Sequence, residues 1–138
     1  FVAIEKDHID IVRELIKRGA DVNRTAKDGA TPLMLSVKHG DPEISRLLID
    51  AGANVNAVRG VGNTPLVIAA LEGRYESAQL LIKHGADQTT LYNHHMIPWQ
   101  VAHAKGHNRL SVYLKEEYEK MQGKRAKLGT DVMGRSKH

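Results

Sequence analysis

The sequence predicts an all-α solenoid, in which helix-turn-helix units stack side by side and are joined by turn or hairpin fingers. The first observation is the triplet Thr-Pro-Leu, which occurs at 31–33 and 64–66 and, altered to Ile-Pro-Trp, at 97–99, in steps of 33 residues. The second is a Gly-Ala pair followed by Asp or Asn, which recurs with the same spacing at 19–21, 52–54 and 85–87. A period of this length indicates a repeat architecture, because each unit buries its apolar face only by stacking on its neighbours.

Each repeat is predicted to begin with a helix at the Thr-Pro-Leu triplet. Thr31 and Thr64 can cap this helix with their side-chain oxygens, and the proline that follows suits the first helical position because no hydrogen bond is lost there. Gly40 and Gly73 are expected to end it, since glycine readily adopts the left-handed conformation found at helix C-termini.

A second helix is predicted to follow directly. Its apolar residues recur with a spacing that gives one buried stripe: Ile44, Leu47, Leu48 and Ile49 in one repeat, then Ala78, Leu80, Leu81 and Ile82 in the next. Gly52 and Gly85 are expected to end this helix as left-handed C-caps. In the turn-forming segment that follows each second helix, Asn23 and Asn56 are expected to bond the turn backbone with their side chains.

Residues 95–122 depart from the pattern in a way that suits the end of a stack. Ile97 stands in place of the capping threonine, His95 stands in place of a turn glycine, and the second helix runs into the charged segment 115–120. The resulting polar outer face is what a terminal repeat needs, because no further repeat covers it.

The charge of the chain lies at one end. The net charge is +4, yet residues 1–122 hold 15 Lys or Arg and 15 Asp or Glu, whereas residues 123–138 hold five against one. We expect this basic tail to be disordered or a linker, with a targeting or nucleic-acid-contacting segment as the alternative. The balanced charge of residues 1–122 and the absence of aromatic residues after Tyr118 argue against nucleic acid as a partner.

Composition also excludes several classes of protein. The longest apolar run covers six residues, 66–71, whereas a bilayer span needs about 20, so we expect no membrane insertion. The 138 residues include no cysteine, which removes disulfide scaffolds, zinc-thiolate sites and cysteine nucleophiles and is typical of intracellular proteins, cytoplasmic or nuclear. Because the chain begins with Phe1 and no signal peptide follows, we expect it to be part of a larger protein.

No pattern of chemically active residues predicts catalysis. His103 and His107 are four residues apart, but Gly106 lies between them where the first helix of that repeat should end, so they need not share a helical face. No carboxylate or thiolate accompanies the histidines at a recognised metal-site spacing, and no serine has a base at a motif spacing. We therefore predict no catalytic, cofactor-binding or metal-binding residue.

The pattern resembles the ankyrin repeat, which runs through Gly-x-Thr-Pro-Leu, a short helix, Gly, a second helix with an apolar pair, and Gly-Ala-Asp-Val-Asn. Residues 29–56 and 62–89 reproduce nearly all of it. The resemblance divides residues 1–122 into a partial repeat at 1–28, full repeats at 29–61 and 62–94, and a C-terminal capping repeat at 95–122, before the tail at 123–138.

The resemblance implies a non-catalytic scaffold that binds another protein through its finger tips and the concave face of the first helices. Transferred by register, the predicted partner-binding residues are Lys38, His39, Val58, Arg59, Val61, Leu71, Glu72, Leu91, Tyr92, His94, Met96 and Lys105.

Six of these residues are apolar where solvent-facing tips normally carry polar side chains: Val58, Val61, Leu71, Leu91, Tyr92 and Met96. We expect them to form a patch with Arg59 and Lys105 at its rim, because exposed apolar patches often mark partner sites. The structural alternative is that they pack on neighbouring tips. The functional alternative is a regulatory domain that contacts an attached enzyme or channel domain of the same chain.

Overall fold

The fold consists of helical hairpins stacked in two rows. The computed structural model of the protein describes residues 2–6 and 8–133. The helices of that part are α1 (Val2–Glu5), α2 (Ile9–Lys17), α3 (Pro32–His39), α4 (Pro42–Asp50), α5 (Pro65–Glu72), α6 (Tyr75–Lys83), α7 (Pro98–Ala104) and α8 (Asn108–Met133). The odd-numbered helices contact one another in sequence and form the inner row, and each packs on the even-numbered helix that follows it. The all-α solenoid predicted from the sequence is confirmed.

The inner helices begin and end at the predicted residues. The Thr31 and Thr64 hydroxyls each accept a hydrogen bond, of 3.2 and 3.1 Å, from the backbone N–H three residues further on. Gly40 and Gly73 follow the last helical residues with φ of 75° and 71°, in the left-handed region. These two signals confine α3 and α5 to eight residues each.

The core lies between the inner and the outer rows. Leu33 and Leu66, which follow the helix-starting prolines, are fully buried, and so is Ala70, whose small side chain lets the neighbouring helix approach closely. A buried hydrogen bond of 2.6 Å joins the hydroxyls of Ser36 on α3 and Ser45 on α4. This bond satisfies two polar groups that would otherwise be costly to bury.

Asparagine side chains link successive repeats. Asn23 donates a hydrogen bond of 3.0 Å to the Gly52 carbonyl and accepts one of 2.7 Å from the Asn54 N–H. Asn56 bonds Gly85 and the residue two further on in the same way, at 3.2 and 2.7 Å. The expectation that these asparagines bond a turn backbone is confirmed, but the turn belongs to the following repeat, so the bonds fix the spacing between repeats.

Helix α8 is longer than the sequence predicts. The tail at 123–138, which is expected to be disordered or a linker, is helical up to Met133, where α8 ends, and residues 134–138 lie outside the described part. No glycine stands at position 118, one period after Gly85, so no turn ends the helix there. Gly123 and Gly129 each weaken a helix by about 1 kcal/mol relative to alanine, whereas the Lys, Arg, Ala and Leu residues between them favour helix.

The first helix is better covered than its sequence position suggests. Ile4 is only 4% exposed, because α1 packs against α3. Phe1 lies outside the described residues. None of the described helices combines the length and the apolar character needed to cross a membrane.

Candidate functional site

Three fingers project between the helical hairpins: finger 1 (residues 24–30), finger 2 (57–63) and finger 3 (90–96). Finger 2 is closed by backbone hydrogen bonds of 3.0 and 3.1 Å between Arg59 and Asn63. Finger 3 is closed in the same way between Tyr92 and Met96, at 2.7 and 3.3 Å. Fingers 2 and 3 are therefore small hairpins, which hold their tip residues in place.

The two hairpins turn with different residues. Finger 2 uses Gly60 and Gly62, with φ of 58° and 87°, whereas finger 3 uses Asn93 and His94, with φ of 51° and 65°. Left-handed backbone is uncommon for residues other than glycine, but asparagine and histidine are among those that adopt it most often. His95, which holds the register of Gly62, does not adopt positive φ, so the left-handed residues of finger 3 lie earlier in the turn.

Adjacent fingers contact each other through backbone and through one ion pair. The Asn93 N–H donates a 2.9 Å hydrogen bond to the Val61 carbonyl, which joins fingers 2 and 3. Arg59 joins fingers 1 and 2, because its Nε donates to the Asp28 carbonyl at 3.0 Å and its Nη2 lies 3.1 Å from an Asp28 carboxylate oxygen. Arg59 is thus engaged by the neighbouring finger.

A groove of about 390 Å³ lies between fingers 1 and 2 and the last turns of α3 and α5. It is lined by Asp28, Lys38, Arg59, Gly60, Val61, Asn63, Ile68, Leu71 and Glu72. Five of the residues predicted to bind a partner line it together: Lys38, Arg59, Val61, Leu71 and Glu72.

The six apolar residues of the predicted patch divide into two groups. Val58, Val61 and Leu91, called the tip residues below, are 57%, 49% and 49% exposed. Leu71, Tyr92 and Met96 are only partly exposed, because they pack against the core.

The tip residues lie on neighbouring fingers. Val58 and Leu91 are 33 residues apart and hold the same register on fingers 2 and 3. Val61 accepts the backbone hydrogen bond that joins the two fingers. The tip residues therefore present exposed apolar side chains from two fingers that are directly bonded to each other.

The remaining predicted partner-binding residues are polar and exposed. Lys38 and His39 end α3, Glu72 ends α5, Lys105 follows α7, and His94 lies at the turn of finger 3. They come from three inner helices and one finger, and of these five only Lys38 and Glu72 line the groove. No set of three or more His, Asp or Glu side chains suited to hold a metal ion occurs among the described residues.

Comparison with known protein families shows which family the chain belongs to. The family model for ankyrin repeats, in three copies, matches residues 1–91. The chain belongs to the ankyrin-repeat family. Ankyrin repeats are protein-protein interaction modules and are generally non-catalytic. No curated protein matches the chain.

This ankyrin stack also contains two residues behind the groove that the sequence analysis did not assign to the site. Arg74 donates a 2.8 Å hydrogen bond to the Lys38 carbonyl. His107, 33 residues later, has its Nε2 3.1 Å from the Leu71 carbonyl, so Nε2 is the donor there. Both bonds satisfy carbonyls that the end of an inner helix leaves unpaired, and they hold the backbone of two groove-lining residues.

The sequence does carry a signal for these two residues. Arg74 and His107 each come directly after a Gly register position, at Gly73 and Gly106, and each can donate a hydrogen bond from a side chain. Asp41 holds the same register but cannot donate, and its carboxylate instead accepts hydrogen bonds from the first turn of α4. A donor at this position therefore predicts a bond back to the preceding ankyrin repeat.

Proposed function

We propose that this ankyrin stack is a non-catalytic binding module of a larger intracellular protein, and that it holds a partner protein with the tips of fingers 2 and 3 and the concave face of its inner helices. The observation that carries the proposal is the exposure of the tip residues, Val58, Val61 and Leu91, on two fingers that are bonded to each other. Adjacent exposed apolar side chains of this kind often mark partner sites.

Burial of the tip residues by a partner would contribute substantially to the free energy of binding. Each is about half exposed, and full burial of a Val or Leu side chain is worth about 1.5 to 3 kcal/mol, so covering the exposed half yields about 1 kcal/mol. Three such side chains contribute about 3 kcal/mol, which corresponds to roughly a hundredfold in Kd.

The backbone of this surface is fixed before a partner arrives. The two hairpin closures, the bond from finger 3 to finger 2 and the Arg59–Asp28 contact restrain the tips. A surface that is already ordered loses less conformational freedom on binding, which leaves more of the interaction energy as affinity. Because residues 1–122 carry no net charge, we expect local contacts rather than a long-range field to select the partner.

The intracellular location is supported by composition. The chain has no cysteine among 138 residues, as is typical of proteins in reducing compartments.

The test of the proposal places negative charge at two different exposed apolar sites, the finger tips and a control position on α8. The double variant Val61→Glu, Leu91→Glu changes the tips, and Val112→Glu changes a 56% exposed valine on α8 as the matched control. Each protein serves as bait in a lysate of its own organism, and captured proteins are identified by mass spectrometry. A partner captured by the native protein and by the control, but lost with the tip variant, supports the proposal. Equal capture by all three proteins contradicts the assignment of the binding surface.

A further inference from the structure

The groove holds two charged side chains that are free to meet a ligand. Within residues 2–6 and 8–133, Lys38 and Glu72 are exposed and neither forms an ion pair or a side-chain hydrogen bond. The other two charged residues of the groove, Asp28 and Arg59, bind each other. The groove therefore presents one unpaired cation and one unpaired anion.

These two charges stand on neighbouring helices. Lys38 lies in the last turn of α3 and Glu72 in the last turn of α5, and α3 packs directly on α5. Packed helices lie about 8 to 10 Å apart, and an extended chain advances about 3.3 Å per residue. Side chains on one face of an extended segment are spaced by two residues, about 7 Å, so residues four apart can both reach the long, flexible side chains of Lys38 and Glu72 and have one residue between them on the same face.

Part of the groove lining is apolar. Ile68 and Leu71 contribute side chains from α5, and Val61 contributes a half-exposed side chain from finger 2. Asn63 also lines the groove, and its amide can donate to or accept from the backbone of an extended chain. An aliphatic ligand side chain is the complement of this floor.

We propose that the groove binds an extended segment of the partner protein in which an acidic residue and a basic residue, four residues apart, flank an aliphatic side chain on the same face of the segment. The acidic residue faces Lys38, the basic residue faces Glu72, and the aliphatic side chain rests on Leu71 and Val61. This proposal rests on the proposed binding function and adds the chemistry of the partner. A segment with two like charges is disfavoured, because one of them meets a like charge of the groove.

The test is a selection from a phage-displayed library of short random peptides against four forms of the full chain. These are the native protein, Lys38→Glu, Glu72→Lys, and Lys83→Glu, which changes an exposed lysine on α6 outside the groove. We expect the native protein and the Lys83→Glu control to enrich peptides with one acid and one base around an aliphatic residue. Lys38→Glu is expected to enrich peptides with two bases, and Glu72→Lys peptides with two acids.

Affinities measured on the enriched peptides make the test quantitative. Each mismatched charge is expected to weaken binding about fivefold, since an exposed ion pair is worth up to about 1 kcal/mol. Enriched peptides whose charges do not respond to either groove variant, or no enrichment on the native protein, overturn the proposal. If the tip variant still loses its lysate partner in that case, the binding function stands and only the inferred ligand chemistry fails.

Discussion

Gly62→Ala is expected to force fingers 2 and 3 apart. A methyl group on Gly62 collides with the Leu91 carbonyl and lies 3.0 Å from the Leu91 carbonyl carbon and 3.2 Å from the Tyr92 Cα, all of them backbone atoms. Gly29 provides the matched control, because it holds the same register one repeat earlier and has the same φ of +87°. The methyl group there lies no closer than 3.5 Å to a neighbour, the Arg59 Cγ, which is ordinary contact.

The expected difference in the free energy of unfolding between the two variants comes from the backbone contact that only Gly62→Ala disturbs. Both alanines are held in left-handed backbone, which destabilises the fold by about 1 to 2 kcal/mol. Only Gly62→Ala also displaces packed backbone, which costs about 1 to 3 kcal/mol, and strains the Asn93 to Val61 hydrogen bond, worth about 1 kcal/mol. We therefore expect Gly62→Ala to lower the free energy of unfolding by about 2 to 4 kcal/mol more than Gly29→Ala does.

Urea unfolding followed by circular dichroism measures this difference, because the midpoint and slope give the free energy of unfolding of each variant. Gly85→Ala is a second control, with φ of +87° and no atom within 4 Å of the added methyl group. If Gly62→Ala is no more destabilising than these two controls, the close contact between fingers 2 and 3 does not contribute as argued.

Three further predictions concern other contacts. Asn56→Ala removes both hydrogen bonds to the following repeat and should lower the free energy of unfolding by about 1 to 2 kcal/mol. An unchanged thermal midpoint would contradict this. His107→Ala frees the Leu71 carbonyl and should speed amide hydrogen exchange at the end of α5, while unchanged exchange would show that the bond is unimportant. The pKa of Tyr113 is raised above 10, mainly by burial of the hydroxyl and also by the nearby Glu117 carboxylate. The neutral Tyr113 side chain therefore stabilises the fold below pH 10, and this stabilisation is lost as the pH rises through the folded-state pKa. In an absorbance titration of the tyrosines, Tyr113→Phe should remove an ionisation above pH 10, and an unaltered titration would refute the assignment.

The helices of the full repeats are predictable because local chemistry fixes both of their ends. Thr31 with its following proline starts α3, and Gly40 ends it, each acting within a few residues of chain. The end of α8 was not predictable in this way, because no glycine stands where the earlier repeats end their second helix. Position 118, one period after Gly85, holds tyrosine, and Gly123 is too weak a breaker to end the helix alone.

The candidate site was only partly predictable, because exposure depends on contacts between fingers. Val58 and Tyr92 are both apolar finger residues by sequence, yet one is mostly exposed and the other packs against the core. Arg59 is an exposed cation by sequence, but it is paired with Asp28 on a finger 31 residues away. No local pattern of residues reports such pairings.

The turn of finger 3 affects where further repeats could be added to this array. Gly62 leaves room beside finger 2 for the backbone of finger 3, whereas position 95, one period later, holds histidine. Position 118 then lies within α8, where a further Gly-Ala turn would be needed. Duplication of a 33-residue unit before residue 95 preserves every glycine that stacking requires. A further repeat stacked on finger 3 in the same way would need glycine in place of His95, because its backbone would pass there as Leu91 passes Gly62.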